Sequence, residues 1–254
     1  MPPHDPVPMT ASIKKRLRAW YMGADVRRLP VGIAAGLRME VDPNAPIHIY
    51  LGIAEIEIAR HIRRLATPGC RCFDIGGHNA YYAMVLARLT AQPVTSFDFD
   101  PVGIARMRRN LALNPQIAPL VQVQELYVSF ETNAAVNADT LDAFIARQRA
   151  PSPGLIKIDV EGAEAGVLHG ARELLQSRPH LVIETHGAEV ERECVDILTP
   201  FGYRPLIVTQ RRWLREHRPA DNRWLIAEGQ PTAMRQSTAP HATAQAATSG
   251  SRLH

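Results

Sequence analysis

The chain has 254 residues, 46% of them hydrophobic, with a formal charge of +4 and a pI near 9.2. That length and apolar content suit one α/β core, and no apolar run reaches the roughly 18 residues of a membrane helix, so membrane insertion is not expected. The positive charge does not gather into a nucleic-acid footprint: Lys14, Lys15 and Lys157 are the only lysines, and the arginines are scattered apart from the stretches 14–18 and 211–218.

The first residues carry Pro and His where a secretory signal would be apolar, which predicts a cytoplasmic protein. Residues 1–45 read as an N-terminal extension or cap, with Ile13, Leu17, Trp20 and Tyr21 spaced along one face of a short helix. From Pro46 strand-like and helix-like stretches alternate, the pattern of a mostly parallel sheet covered by helices on both faces. The first strand is expected over 72–76 and its helix over 80–89, then a strand over 94–99 and a helix over 102–113 that ends before Pro115. A third strand is expected over 120–128, and a helix over 140–148 capped by Asp139 or Thr140. A strand over 155–160, a helix over 163–175, a strand over 181–185 and a helix over 189–198 follow. Residues 203–209 and 223–227 complete a sheet of about seven strands as a hairpin, closing a domain over 46–228. The tail 229–254 is poor in bulky apolar residues and is expected to be disordered. Cys70, Cys72 and Cys194 read as reduced thiols; Asp159, Glu161, Glu164 and Glu184 are hard oxygen ligands for a divalent cation, but with Glu164 in a helix and Glu184 inside a strand the four are not expected to converge, and no metal ligands are assigned.

Chemistry concentrates where strands end. Asp74-Ile75-Gly76-Gly77-His78 carries an acid and two glycines out of the first strand, at the sheet edge where α/β folds bind ligands. The spacing is not the G-x-G-x-x-G of a dinucleotide site, and an acid before the glycines suits a cationic amine or sulfonium. Asp98, 22 residues after Gly76, stands where an acid reaches ribose hydroxyls, with Phe99 beside it; Asp100 before Pro101 reads better as a helix cap. Asp159, Glu161 and His186 close the fourth and fifth strands at the same edge and are the candidates for removing a proton from an acceptor. Lys157 is a partner in reach of Asp159, and Glu161 has the alternative of capping the next helix.

The segments FDIGGHNAYYAMVLARL, SFDFDPVGIARMRRNLALNP, TLDAFI, IKIDVEGAEAGVLHGARELL and VIETH, in this order, resemble the FkbM-type methyltransferases over roughly residues 50–205. The resemblance is most specific at Lys157-Ile158-Asp159-Val160-Glu161-Gly162, and Tyr50-Leu51-Gly52 with Glu55 looks like the family's lead-in. It implies a Rossmann-like class I fold and methyl transfer from S-adenosyl-L-methionine to an oxygen of a small molecule, sugar or natural product. It implies cofactor contacts at Asp74, Gly76, Gly77, His78, Tyr82, Asp98 and Phe99, with Tyr81 and Tyr82 as the aromatic pair after the loop. Two positions depart from the family pattern: His78 stands where Asn is usual and Ala80 where Gly is usual. The rival readings are RNA methylation, for which no Asn-Pro-Pro-Tyr follows the fourth strand, cofactor binding without catalysis, and a nicotinamide oxidoreductase, against which the glycine spacing counts.

Overall fold

The computed structural model describes residues 19, 21–149, 151–211, 219 and 221–230. The helix expected near 13–21, the basic stretch beyond Arg211 and the tail beyond Gln230 lie outside the described residues, apart from isolated positions. Strands β1 (Val26–Arg28) and β2 (Arg38–Glu40) pair as an antiparallel hairpin, a feature the sequence pattern did not disclose. Helices α1 (Ile47–Leu51) and α2 (Ile56–Leu65) lead into β3 (Cys72–Ile75), α3 (Tyr81–Thr90), β4 (Val94–Asp98), α4 (Pro101–Ala112) and β5 (Val121–Glu125). The short strands β6 (Tyr127–Val128) and β7 (Ala138–Asp139) come next, followed by α5 (Leu141–Gln148) and β8 (Leu155–Ile158). Then come α6 (Glu164–His169), α7 (Arg172–Gln176), β9 (His180–His186), α8 (Ala188–Leu198), β10 (Leu206–Val208) and β11 (Asn222–Ala227). Among the described residues no helix is long and apolar enough to cross a membrane.

Seven strands form one sheet in the order β10-β11-β9-β8-β3-β4-β5. The five from β9 to β5 are parallel, and β11 runs antiparallel to both β9 and β10, giving the expected terminal hairpin. Successive strands step outward from β3 through β4 to β5, and the chain then crosses back to lay β8 on the other side of β3. The two halves diverge between β3 and β8, and there the strand ends leave a crevice.

Residues pack on both faces of the sheet. Helix α3 is apolar nearly all round, every residue from Tyr81 to Ala87 is buried, and it lies in one core layer with α2 and the N-terminal hairpin. On the other face Phe73, Phe97 and Phe144 stack edge-to-face with ring centroids 4.9–6.3 Å apart, the spacing aromatic quadrupoles favour.

Two of the expected elements are divided differently in the structure. The third strand ends at Glu125, where Leu126 N–H makes the last bond to Asp98 O (2.8 Å); Tyr127 and Val128 then pair with Ala138 and Asp139 outside the main sheet. The helix expected over 163–175 is broken into α6 and α7 at Gly170, whose Cα presses on Ser129 O: a Cβ there would sit 2.1 Å from that oxygen. Thr140, not Asp139, caps α5 by accepting from Ala143 N–H (3.0 Å), and all three cysteines are buried, free thiols.

The N-terminal hairpin is held by two asparagines one turn apart at the end of α4. Asn114 Oδ1 accepts from Arg38 N–H (2.9 Å) and its Nδ2 donates to Arg38 O (2.7 Å). Asn110 Oδ1 accepts from Glu40 N–H (2.8 Å) while its Nδ2 donates to Asn79 O (2.8 Å), tying the hairpin to the glycine loop. Asn114 is 1% exposed, so truncation leaves buried backbone groups unpaired. We expect Asn114→Ala to lower unfolding stability by about 2 kcal/mol in urea titration; a change within about 0.5 kcal/mol would show that the hairpin does not depend on this clamp.

Candidate active site

The chain leaves β3 at Gly76 with φ +84°, a left-handed turn at which an added Cβ would lie 1.8 Å from Asp159 O at the end of β8. Glycine is therefore required by conformation and by the crossing of two strand ends. The amides of Gly76 and Gly77 both donate to Phe97 O (2.9 Å each), which lays the loop across the end of β4. Asp98 completes it, accepting from His78 N–H at Oδ2 (2.7 Å) and from Asp100 N–H at Oδ1 (2.9 Å). A carboxylate has about four acceptor positions, so Asp98 keeps capacity for hydroxyls in the cleft. Asp100 caps α4 through Val102 and Gly103 N–H, and that structural role accounts for it. Phe99, 63% exposed, meets Tyr127 edge-to-face at 5.1 Å and with Leu126 and Val128 makes an apolar shelf beside Asp98.

Below the loop lies a set of buried charges. Lys157, 2% exposed in β8, puts Nζ 2.8 Å from Asp159 Oδ2 and 4.5 Å above the Tyr82 ring. The Tyr82 hydroxyl donates to Glu55 Oε2 (2.8 Å), and Glu55 is buried at the start of α2 with φ 46°. Asp74 is beside Lys157 in the β3–β8 register and accepts from Ser96 Oγ (2.9 Å). Burial pushes the Asp74 carboxyl up to about 6, against the pull of Lys157 and Ser96.

The fifth parallel strand supplies the other wall. Glu184 and His186 are two residues apart on β9 and point to one side, with Glu184 1% exposed. His186 Nδ1 donates to Glu164 Oε1 (2.7 Å), and the same oxygen accepts from Gly162 N–H (3.0 Å). Its Nε2 faces Asp159 Oδ1 at 3.8 Å and Glu184 Oε1 at 3.7 Å. Burial alone would lower the His186 pKa, but the Glu164 hydrogen bond and the charges of Glu164, Asp159 and Glu184 outweigh it and raise the pKa above the ordinary value. Glu161 is exposed at the rim with φ 48°; α6 has no side-chain cap, so the capping alternative for this residue does not hold.

Apart from Ser96 and Glu164, these groups line one cleft of about 1290 Å³ above the β3–β8 divergence. Pockets for a single small ligand span roughly 300–1,000 Å³, so two ligands fit side by side. All ten residues that the sequence placed at a cofactor or an acceptor line it. Among its described lining residues are eight carboxylates and a single lysine.

Residues 122–218 match the methyltransferase FkbM domain. Over that stretch, well under half of the chain, the sequence is similar to the FkbM methyltransferases. The structure is similar to methyltransferase FkbM from Methylobacillus flagellatus KT, with 17% identity and a TM-score of 0.53 over 62% of this chain and 43% of that one. The chain thus spans less than half the length of that FkbM protein. It is also similar to the tRNA (uracil-54, C5)-methyltransferase of Pyrococcus abyssi, solved in complex with S-adenosyl-L-homocysteine (16% identity, TM-score 0.50, 76% of this chain and 42% of that one). A third similarity is to the ribosomal protein L11 methylase of Lactobacillus delbrueckii subsp. bulgaricus (13% identity, TM-score 0.50, 68% and 77%). At these identities the likeness is one of fold. No curated protein matches the chain.

Asp159, Glu164, Glu184 and His186 fall inside the matched FkbM stretch, while the glycine loop and Asp98 precede it. The sequence reading did not assign Glu55 or Glu184 to the cleft. Glu184 lies inside a strand, yet its i, i+2 spacing from His186 places both on one face. At both positions where Asn or Gly was noted as usual the backbone is left-handed, the region that Gly and Asn enter most cheaply, so His78 (φ 45°) and Ala80 (φ 64°) are held there under strain. His78 is exposed, so His78→Gly sheds strain at little packing cost, and we expect about 1 kcal/mol of added stability in urea unfolding. Loss of stability in that variant would contradict the strain at this turn.

Proposed function

We propose that the cleft binds S-adenosyl-L-methionine and a hydroxylated small molecule or sugar side by side, and that the protein is an O-methyltransferase. The observation that carries this reading is the convergence, over one cleft, of the Gly76–Gly77 loop and Asp98 with Asp159, Glu161 and His186. The cofactor half fits the residues present. Asp98 offers oxygen acceptors to ribose hydroxyls, the Phe99–Tyr127 shelf offers an apolar face to a base, and buried Asp74 supplies negative potential at the methionine end. His78 holds the loop through its backbone, its amide being the donor to Asp98.

The cofactor contributes an electrophilic methyl group on a sulfonium. The chain's own residues then have three tasks: to align the acceptor oxygen, to exclude water, and to receive the hydroxyl proton. Tyr82, clamped between Glu55 and Lys157, floors the cleft beneath the reacting groups. Asp159 and His186 Nε2 face the acceptor side, and Glu161 at the rim leads from it to solvent. The carboxylate-rich lining supports an uncharged or cationic acceptor over the phosphate backbone of a nucleic acid, because like charges in a low-dielectric cleft repel. In this reading residues 46–228 form the catalytic unit and residues 1–45 its cap.

Calorimetric titration with S-adenosylhomocysteine tests the cofactor half. Wild-type protein is expected to bind and Asp98→Ala to bind at least about tenfold more weakly, a loss of about 1.4 kcal/mol, with no heat from a nicotinamide dinucleotide. Equal affinity in the variant would remove Asp98 from the site. Transfer of labelled methyl to a panel of sugars and polyols tests the acceptor half; Asp159→Asn is expected to lower kcat about 100-fold or more. Transfer to RNA instead would overturn the proposed acceptor class.

A further inference from the structure

We propose that Asp159, Glu184 and His186 form a binding site for a first-row divalent cation on the acceptor side of the cleft. The proposal rests on the methyltransferase reading above and adds the means by which the acceptor oxygen is activated. Backbone geometry brings the three together: Ile158 pairs with Ile183, so Asp159 stands level with Glu184, and His186 follows on the same face of β9. One ligand atom from each residue lies within 4.8 Å of the others. Nε2 of His186 is 3.8 Å from Asp159 Oδ1 and 3.7 Å from Glu184 Oε1, both longer than a hydrogen bond. Two ligands about 2.0–2.2 Å from one ion and at octahedral to tetrahedral angles stand about 2.8–3.6 Å apart, so the two His186 legs close around a cation by a contraction of at most about 1 Å, and the Asp159–Glu184 leg starts within 4.8 Å.

Two further contacts orient the ligands. Glu164, from α6 and 0% exposed, occupies Nδ1 and so turns Nε2 toward the carboxylates. A buried carboxylate behind an imidazole is the arrangement that fixes the tautomer and raises the basicity of a metal-binding histidine. Lys157 takes Asp159 Oδ2, so the carboxylate presents Oδ1 to the group. One imidazole nitrogen with two carboxylates suits Mn²⁺, Fe²⁺, Co²⁺ or Zn²⁺ better than Ca²⁺ or Mg²⁺, which take oxygen ligands.

Three protein ligands leave positions open for an acceptor oxygen. A cation there lowers the pKa of the acceptor hydroxyl, whose proton passes by way of Glu161 to solvent. The oxygen electron pair forms the new O–CH₃ bond while the C–S bond of the sulfonium donor breaks and its pair stays on sulfur. The cation thus replaces a strong base at an edge crowded with acids.

Metal-free full-length protein is titrated with Mn²⁺ and followed by electron paramagnetic resonance, with and without S-adenosylhomocysteine, whose own binding is measured by calorimetry. We expect one Mn²⁺ per chain with Kd tighter than about 0.1 mM. Binding is expected to be lost in His186→Ala and Glu184→Gln, and weakened about 10- to 100-fold in Glu164→Gln. Retained S-adenosylhomocysteine affinity in each variant shows that the fold is intact. Absence of Mn²⁺ binding in both series, or equal binding by wild type and His186→Ala, overturns the proposal and leaves the His186 contacts as ion pairs of an imidazolium. Failure to bind S-adenosylhomocysteine counts against the methyltransferase reading instead, and the Mn²⁺ series still decides the cation site.

Discussion

The acidic end of the cleft depends on one buried cation. Lys157 sits in the central strand β8 with only 2% of its surface exposed, and an ammonium so placed is tolerable only beside negative charge. The charges of Asp159, Glu55, Asp74 and Glu184 offset the desolvation that would otherwise neutralise it, and its pKa is held well above the usual lysine value. That single group reaches three other parts of the fold. It holds Asp159 by one oxygen, it lies on the face of Tyr82 at the start of α3, and through Tyr82 it is coupled to Glu55 ahead of β3. Residues separated by about a hundred positions in the chain are thereby brought to one floor.

The walls of the cleft follow from topology. A parallel sheet that reverses its direction of winding must open between β3 and β8, and the loops leaving those strands are the ones that meet a ligand. The backbone there is confined: Gly76 admits no Cβ beside Asp159 O, and His78, Ala80 and Glu161 all hold left-handed conformations that cost non-glycine residues free energy. Strain of this kind persists where surrounding contacts over-determine it. Here those contacts are Phe97 O on the loop amides, Asp98 on His78 N–H and Asn110 on Asn79 O. The N-terminal hairpin is tied in through the same Asn110, so it supports the loop as well as the core.

Much of this was readable from the sequence because the relevant signals are local. A strand followed by Asp-x-Gly-Gly and a helix, an acid at the end of the next strand, and carboxylates after the fourth strand specify their own positions at the sheet edge, and all line the cleft. The sites that escaped depend on which residues meet across strands. Glu184 lies within a strand, and only the β8–β9 register shows that it stands level with Asp159. Glu55 needed the fold to bring the start of α2 beneath Tyr82, and the break between α6 and α7 needed the carbonyl of Ser129 pressed against Gly170. The hairpin over 26–40 has strands too short to show periodicity, and it is held by side chains 70 or more residues away.

A crystal structure of the protein grown with S-adenosylhomocysteine tests the central claim most directly. The account predicts the ribose against Asp98, the base on the Phe99–Tyr127 shelf, and the sulfur directed toward the side of the cleft formed by Asp159 and His186. A nucleoside bound elsewhere, or with its sulfur turned away from Asp159 and His186, would contradict it.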